Sequence, residues 1–353
     1  MVLQAPSAAH SGYSTERIMH RVLLATIPGA LALTWHFGWG SLINVLLCSL
    51  CALACEALVL RLRCRPVGFY LRDCSALVTA VFLGLALPPL APWWIVVVGC
   101  VFSIVIAKQL YGGLGYNPCN PAMVGYAALL LCFPMQMSRW LVPHSLLPED
   151  IHQPGLWESL NLVFGAADWI DGMTGATPLD VLKQQTGMMI EQVYASQPVF
   201  QQAGWAGVGW EWVNLGFLAG GLWLLRMRVF SWHAPLAMLA TLSLTALVYW
   251  DSGSSESFGS PVFHLFSGAS MMGAFFILTD PVSSATSIKG KLVYGAMIGA
   301  LVFVIRSWGE YPDAIAFAVL LANFAAPTID RYSLPRSYGH ARRGTKTSGD
   351  GDQ

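Results

Sequence analysis

The chain predicts an all-α polytopic membrane protein of about ten transmembrane helices, with an extramembrane segment between the fifth and sixth. Three observations carry this. Hydrophobic residues make up 55% of the 353 positions and charged residues only 11%, against about 25% charged in ordinary soluble domains. Ten apolar runs approach the length of about 20 residues that a bilayer-spanning helix needs. The cations also gather at alternate ends of those runs, as the positive-inside rule requires.

In chain order, residues 1–18 are polar and read as a cytoplasmic N-terminus. No cleavable signal peptide is expected, because the first apolar run follows Arg17, His20 and Arg21 directly and stays in the membrane. Runs near 19–38, 41–60, 75–89, 92–110 and 119–134 form a first five-helix half, residues 19–134. Those at 75–89 and 119–134 are short, which suits tilted or broken helices covered by neighbouring protein. Residues 135–211 form a polar segment. Runs near 212–230, 233–250, 263–279, 291–306 and 312–328 form a second half, residues 212–330, before a cytoplasmic tail at 331–353.

With the N-terminus inside, Arg61, Arg63, Arg65, Arg72, Lys108, Arg226, Arg228, Lys289, Lys291 and Arg331 all fall on the cytoplasmic side. The segment from Pro134 to Glu211 holds only Arg139 and Lys183 as cations and falls outside. Arg306 is the exception. Trp35, Trp39, Trp93, Trp94, Trp210, Trp212, Trp250 and Trp308 mark the outer ends, where interfacial anchors sit.

A weak internal similarity aligns residues 80–88 with residues 273–281, and Gly115-Tyr116-Asn117-Pro118 with Glu310-Tyr311-Pro312-Asp313. Five helices separate the copies, an odd number, so the two five-helix repeats would be inverted, as in many transporters. Chance alignment of Leu/Phe/Ala-rich helices is the alternative. The eight cysteines all precede residue 133 within or beside apolar runs, and read as small buried residues. Zero net charge argues against a nucleic-acid partner.

The outer segment carries aromatic residues at Trp157, Phe164, Trp169 and Trp205, which suggests a small folded cap. Within it, Asp171 to Thr177 has the pattern D-x-x-T-G-A-T. Gly175 and Ala176 leave the backbone approachable, and Pro178 biases Thr177 toward an extended conformation. A threonine hydroxyl has no useful acidity, so it becomes a phosphoester only if another enzyme activates it. From these residues alone, an ordinary Gly-Ala-Thr-Pro turn is the competing reading.

This run resembles the flavinylation motif of the family that holds the D subunit of the Rnf ion-translocating oxidoreductase and the B subunit of the sodium-translocating NADH:quinone reductase. Gly112 to Ala122, with its Gly-rich and Asn-Pro-Ala pattern, looks like the family's approach to its fifth helix. Leu278-Thr279-Asp280-Pro281-Val282-Ser283 looks like its second-half counterpart. The resemblance implies that Thr177 carries covalent FMN through its phosphate, transferred from FAD by a flavin transferase. Asp171, Thr174, Gly175 and Ala176 would be the recognition positions. It further implies a second, non-covalent flavin (riboflavin or FMN) near the cytoplasmic side, with Asn117 and Asn120 as candidate contacts. The function implied is that of a membrane subunit in a bacterial inner membrane, working with other membrane and peripheral subunits. The complex would couple electron transfer of ferredoxin/NAD type to movement of sodium ions or protons.

Other features are weighed against plainer roles. Asn117 and Asn120 also suit a capped helix–helix turn. Cys48-x-x-Cys51-x-x-x-Cys55 suggests metal ligation but reads more simply as packing. Glu56 interrupts an apolar run, and intramembrane acids are functional candidates by default; it stands only five residues from Arg61, so pairing near the interface is the alternative. Asp280 and His264 stand in the same position. The rival classes are a secondary transporter or channel, and a structural scaffold.

Overall fold

The computed structural model describes residues 15–166, 172–184, 188–251, 258–311 and 313–333. Among the described residues, helical units fall on each of the ten apolar runs. They are Thr15–Phe37, Gly40–Leu62, Ser75–Ala86, Trp93–Gln109, Pro121–Cys132, Trp210–Arg226, His233–Val248, the compound segment from Pro261 to Ile277, Ile288–Trp308 and Ile315–Ser333. Thr15–Phe37, Gly40–Leu62 and Ile288–Trp308 are long and apolar enough to cross a membrane by length and composition. Ser75–Ala86, Trp93–Gln109, Pro121–Cys132 and His233–Val248 are shorter apolar helices. The brevity expected of 75–89 and 119–134 is therefore present. Ser75–Ala86 stops before the pair Pro88-Pro89, and Pro121 opens its helix as the first residue after the Asn120 cap.

The second half differs from the sequence reading in one respect. The run near 263–279 is not a single helix. It divides into Pro261–Phe266, Ser270–Met272 and a π-helical stretch Gly273–Ile277. Gly268 takes φ +58° in the gap, a left-handed conformation that glycine tolerates best. Trp93–Gln109 likewise turns π-helical from Val101.

A break in apolar surroundings frees backbone groups that must be satisfied locally. Asn214 does most of this. Its amide donates to the carbonyls of Phe266 (2.9 Å) and Gly268 (2.9 Å) and accepts from the Met271 N–H (3.1 Å). Arg306 adds bonds to the His264 carbonyl at 2.9 Å and the Ser267 carbonyl at 3.4 Å. The anomalous cation of the topology reading thus works as a strut for the broken segment. It is held there by Asp313 at 3.3 Å.

The halves meet between elements of matching rank. Thr15–Phe37 packs along Trp210–Arg226, and Pro121–Cys132 along Ile315–Ser333. Phe82 and Phe276, from the third unit of each half, meet edge-on with ring centroids 6.1 Å apart. Close approach of the first pair depends on glycine: a Cβ on Gly29 would lie 2.5 Å from the Phe217 ring.

The segment between the halves is folded. Trp140–Leu141 pairs antiparallel with Thr174–Gly175. Leu179, Val181, Val193, Val199, Phe200 and Ala206 form a small core with Phe263 of the bundle. Glu211 fixes the return to the bundle. Its carboxylate accepts the N–H groups of Gly204, Trp205, Ala206 and Gly207 at 2.7–3.3 Å.

Asn214→Leu should therefore lower the thermal unfolding midpoint of the detergent-solubilised chain. Each orphaned buried group costs about 1–3 kcal/mol. An unchanged midpoint would show that the break is held by something else.

Candidate functional site

Thr177 sits at the start of a seven-residue helix, Pro178–Gln184, and caps it. Its hydroxyl accepts the Asp180 N–H (3.2 Å), while Asp180 Oδ2 accepts both the Thr177 N–H (3.1 Å) and the Thr177 Oγ1–H (2.6 Å). This is a reciprocal capping box with Asp in place of the usual Glu or Gln. Pro178 occupies the first helical position, where a missing N–H costs nothing. The turn preceding it is anchored by the short ladder, in which Thr174 faces Leu141 and Gly175 faces Trp140. Thr174 and Ala176 are exposed and Gly175 is half-buried against Val142, where a Cβ would lie 2.8 Å from a methyl. Asp171 lies outside the described residues.

The ladder and the cap aim Thr177 into a cavity of about 540 Å³. Leu33, Leu85, Met123, Phe217, Met272 and Ile315 line it, so both halves of the bundle contribute. Tyr126, Trp140 and Trp210 supply aromatic walls, and Asp180, Glu310 and Asp313 lie at the polar end with Thr177. That volume and that mix of apolar wall with a few polar groups are those of a small-molecule or cofactor site. Lys183 pins the capped helix to the bundle by donating to the Tyr311 carbonyl at 2.9 Å; burial lowers its pKa.

A second cavity, of about 450 Å³, holds the other predicted pair. Asn117 and Asn120 both line it, with Ser75, Thr79, Lys108 and Asp280. Asn120 is largely committed to structure. Its Oδ1 accepts from the Ala122 and Met123 N–H groups and its amide donates to the Ile277 carbonyl at 3.3 Å. Asn117 is different. Its amide donates to the Cys119 carbonyl at 3.0 Å, but its buried Oδ1 has no partner in the protein. Asp280 is occupied by the Ser283 hydroxyl at 2.7 Å and the Val282 N–H at 3.3 Å, which close the Asp-Pro turn.

Glu56 is fully enclosed and paired with Lys108 at 2.7 Å, each side chain only 2% exposed. The interfacial partner that the sequence suggested, Arg61, is not the one used. His264 is held by the Phe258 carbonyl at 2.9 Å inside an aromatic cluster. Cys48 lies against Cys100, whose thiol donates to the Cys48 carbonyl at 3.5 Å. Among the described residues no group of three or more His, Cys, Asp or Glu side chains is placed to hold a metal ion.

Two participants escaped the sequence reading. Asp180 completes a T-x-x-D capping signal that was legible next to the motif. Lys108 was legible only as a topology marker, because its partner is 52 residues away.

The model of the family described as NQR2, RnfD, RnfE matches residues 2–339. A protein from Cellvibrio japonicus (strain Ueda107), described as the D subunit of an ion-translocating oxidoreductase complex, is 55% identical over 335 residues, covering 95% of this chain and 94% of its own. The protein of the same description from Pseudomonas aeruginosa (strain UCBPP-PA14) is 53% identical over 350 residues, 98% of this chain and 99% of its own. That from Escherichia coli O6:H1 (strain CFT073) is 49% identical over 346 residues, 94% and 97% of the two chains.

Loss of the carboxylate that accepts the Thr177 N–H and hydroxyl predicts that Asp180→Ala loosens Pro178–Gln184 by about 0.5–1.5 kcal/mol. Hydrogen exchange at amides 180–184 should accelerate accordingly, with the bundle unaffected. Unchanged protection would mean that the box does not hold the helix.

Proposed function

The chain belongs to the NQR2, RnfD, RnfE family, and from that premise we propose that it is the D-type membrane subunit of an ion-translocating oxidoreductase, carrying covalent FMN on Thr177. The observation that carries this reading is the position of one hydroxyl. Thr177 lines, together with Asp180, Glu310 and Asp313, a cavity of about 540 Å³ whose walls come from both halves of the bundle. A tricyclic ring tethered there has apolar and aromatic surface to lie against, so the residues present fit the group.

Bound FMN would supply one- and two-electron redox chemistry. The chain's own residues position the attachment point. The ladder with Trp140 and Leu141 fixes the backbone before Thr177, and the capped helix fixes it after. Asp180 Oδ2 holds the hydroxyl proton at 2.6 Å in the unmodified chain. Esterification would remove that proton, so the Asp180 carboxylate would keep only its bond from the Thr177 N–H.

The second cavity supports a non-covalent flavin. The unpaired Asn117 Oδ1 offers an acceptor for a ring N–H, and Ser75 and Thr79 add hydroxyls. The cation distribution supports an outward Thr177 and a cytoplasmic second cavity, with both termini inside, in a bacterial inner membrane. Pairing of first with first, third with third and fifth with fifth units supports two inverted five-helix repeats. Other membrane and peripheral subunits and a flavin transferase are the partners in this reading, with sodium ions or protons as the translocated species.

Replacement of Thr177 separates attachment from folding. Thr177→Asn retains an N-cap side chain but has no hydroxyl to esterify. It should run as a non-fluorescent band in a denaturing gel while the native band fluoresces, with unchanged thermal stability. Thr177→Val should lose both the fluorescence and the cap. Fluorescence persisting in Thr177→Asn would place the flavin on another residue.

A further inference from the structure

Lys108 is a buried ammonium in a membrane-embedded helix, which is costly unless it is used. Its Nζ carries three donors. Two are spent, on Glu56 Oε1 at 2.7 Å and on Ser75 Oγ at 2.7 Å. Gln109 Nε2 also donates to Glu56 Oε1 at 2.7 Å. Lys108 and Gln109 both close the π-helical stretch Val101–Gln109. Among the described residues the third Nζ donor has no protein acceptor.

Lys108 and Ser75 both line the second cavity, whereas Glu56 does not. The ion pair therefore points its positive end at the cavity and keeps its negative end behind. Asp280 and Lys291 also line the cavity; the Asp280 carboxylate accepts hydrogen bonds from the Ser283 hydroxyl and the Val282 N–H. A buried pair made only for stability is a poor device, since well-packed apolar residues of similar volume serve as well or better. What the pair supplies is an oriented charge with one donor left over.

We propose that Lys108 is the counter-charge of the second cavity, donating to a carbonyl-bearing ring that gains negative charge on reduction. Glu56 and Gln109 position it. This rests on the reading of that cavity as a flavin site. The ammonium stabilises the reduced, more negative form of the ring, and so raises its reduction potential. It acts through a low-dielectric wall where such a charge is weakly screened.

The test uses the full-length chain in detergent, in a Thr177→Asn background so that the only flavin left is non-covalent. Flavin released by acid is quantified and its midpoint potential measured by spectroelectrochemical titration. Lys108→Met alone strands the Glu56 charge and can fail to fold. The deciding variant is therefore Glu56→Gln with Lys108→Met, which removes both charges. Its flavin should stay bound while the one-electron reduction equilibrium weakens about tenfold, about 59 mV downward. Glu56→Gln alone should move the potential upward, and Glu56→Gln with Lys108→Arg should stay with it. A bound flavin whose potential is the same in all variants overturns the role of Lys108 while leaving the cavity's assignment intact. A parent chain that purifies without non-covalent flavin overturns the flavin reading itself, and the counter-charge with it.

Discussion

A peptide group in hydrocarbon must find its hydrogen-bond partner within the protein, and this structure is arranged around the places where helices cannot supply it. The compound segment from Pro261 to Ile277 interrupts its own ladder at Ser267 to Ala269. Asn214 and Arg306 replace what is lost with side-chain bonds from two other helices. In the first half, Asn120 caps Pro121–Cys132 and reaches the Ile277 carbonyl. Polar side chains that would be a burden in a continuous bundle are here the condition for having broken helices at all.

Broken and short helices in turn create space. Ser75–Ala86 and Pro121–Cys132 each span only 12 residues, about 18 Å at 1.5 Å per residue, well short of a 30 Å hydrocarbon core. Their ends leave room that the longer helices enclose, and both cavities lie against these two helices. The folded segment between the halves closes over one cavity and brings Thr177 to it. Fold and site thus follow from a single departure from regular spanning helices.

Much of this was legible in the sequence. The ten helical units fall on ten apolar runs because apolar length is the dominant signal in a membrane protein. The D-x-x-T-G-A-T pattern drew attention to Thr177, and the Asn117–Asn120 stretch does lie at a cavity. The break at Gly268 was not legible, since its apolar flanks read as one run and the satisfying groups are 39 to 57 residues distant in sequence. Nor was the Glu56–Lys108 pair. A local reading offered Arg61, close to Glu56 in the chain, whereas Lys108 and Gln109 stand 52 and 53 residues away, beyond the reach of any local signal. Asp180 lay within sight, but capping boxes are described with Glu or Gln at that position, which made an Asp easy to pass over.

The two cavities share elements on opposite faces, and the composition of the wall between them bears on how the protein divides its labour. Ile277 faces one cavity and Phe275 and Phe276 the other, from the same π-helical stretch. On Ser75–Ala86, Leu85 faces the first and Phe82 the second. The side chains named on both sides are apolar, and Phe82 and Phe276 lock the wall edge-on. A hydrated ion crossing here would shed its water against hydrocarbon, at a cost of several kcal/mol or more that nothing in the wall offsets. An electron passing between groups on either side carries no hydration shell to lose. On the proposed reading, with a flavin at each cavity, a wall of this kind favours electron transfer between them over ion conduction through the middle of the chain.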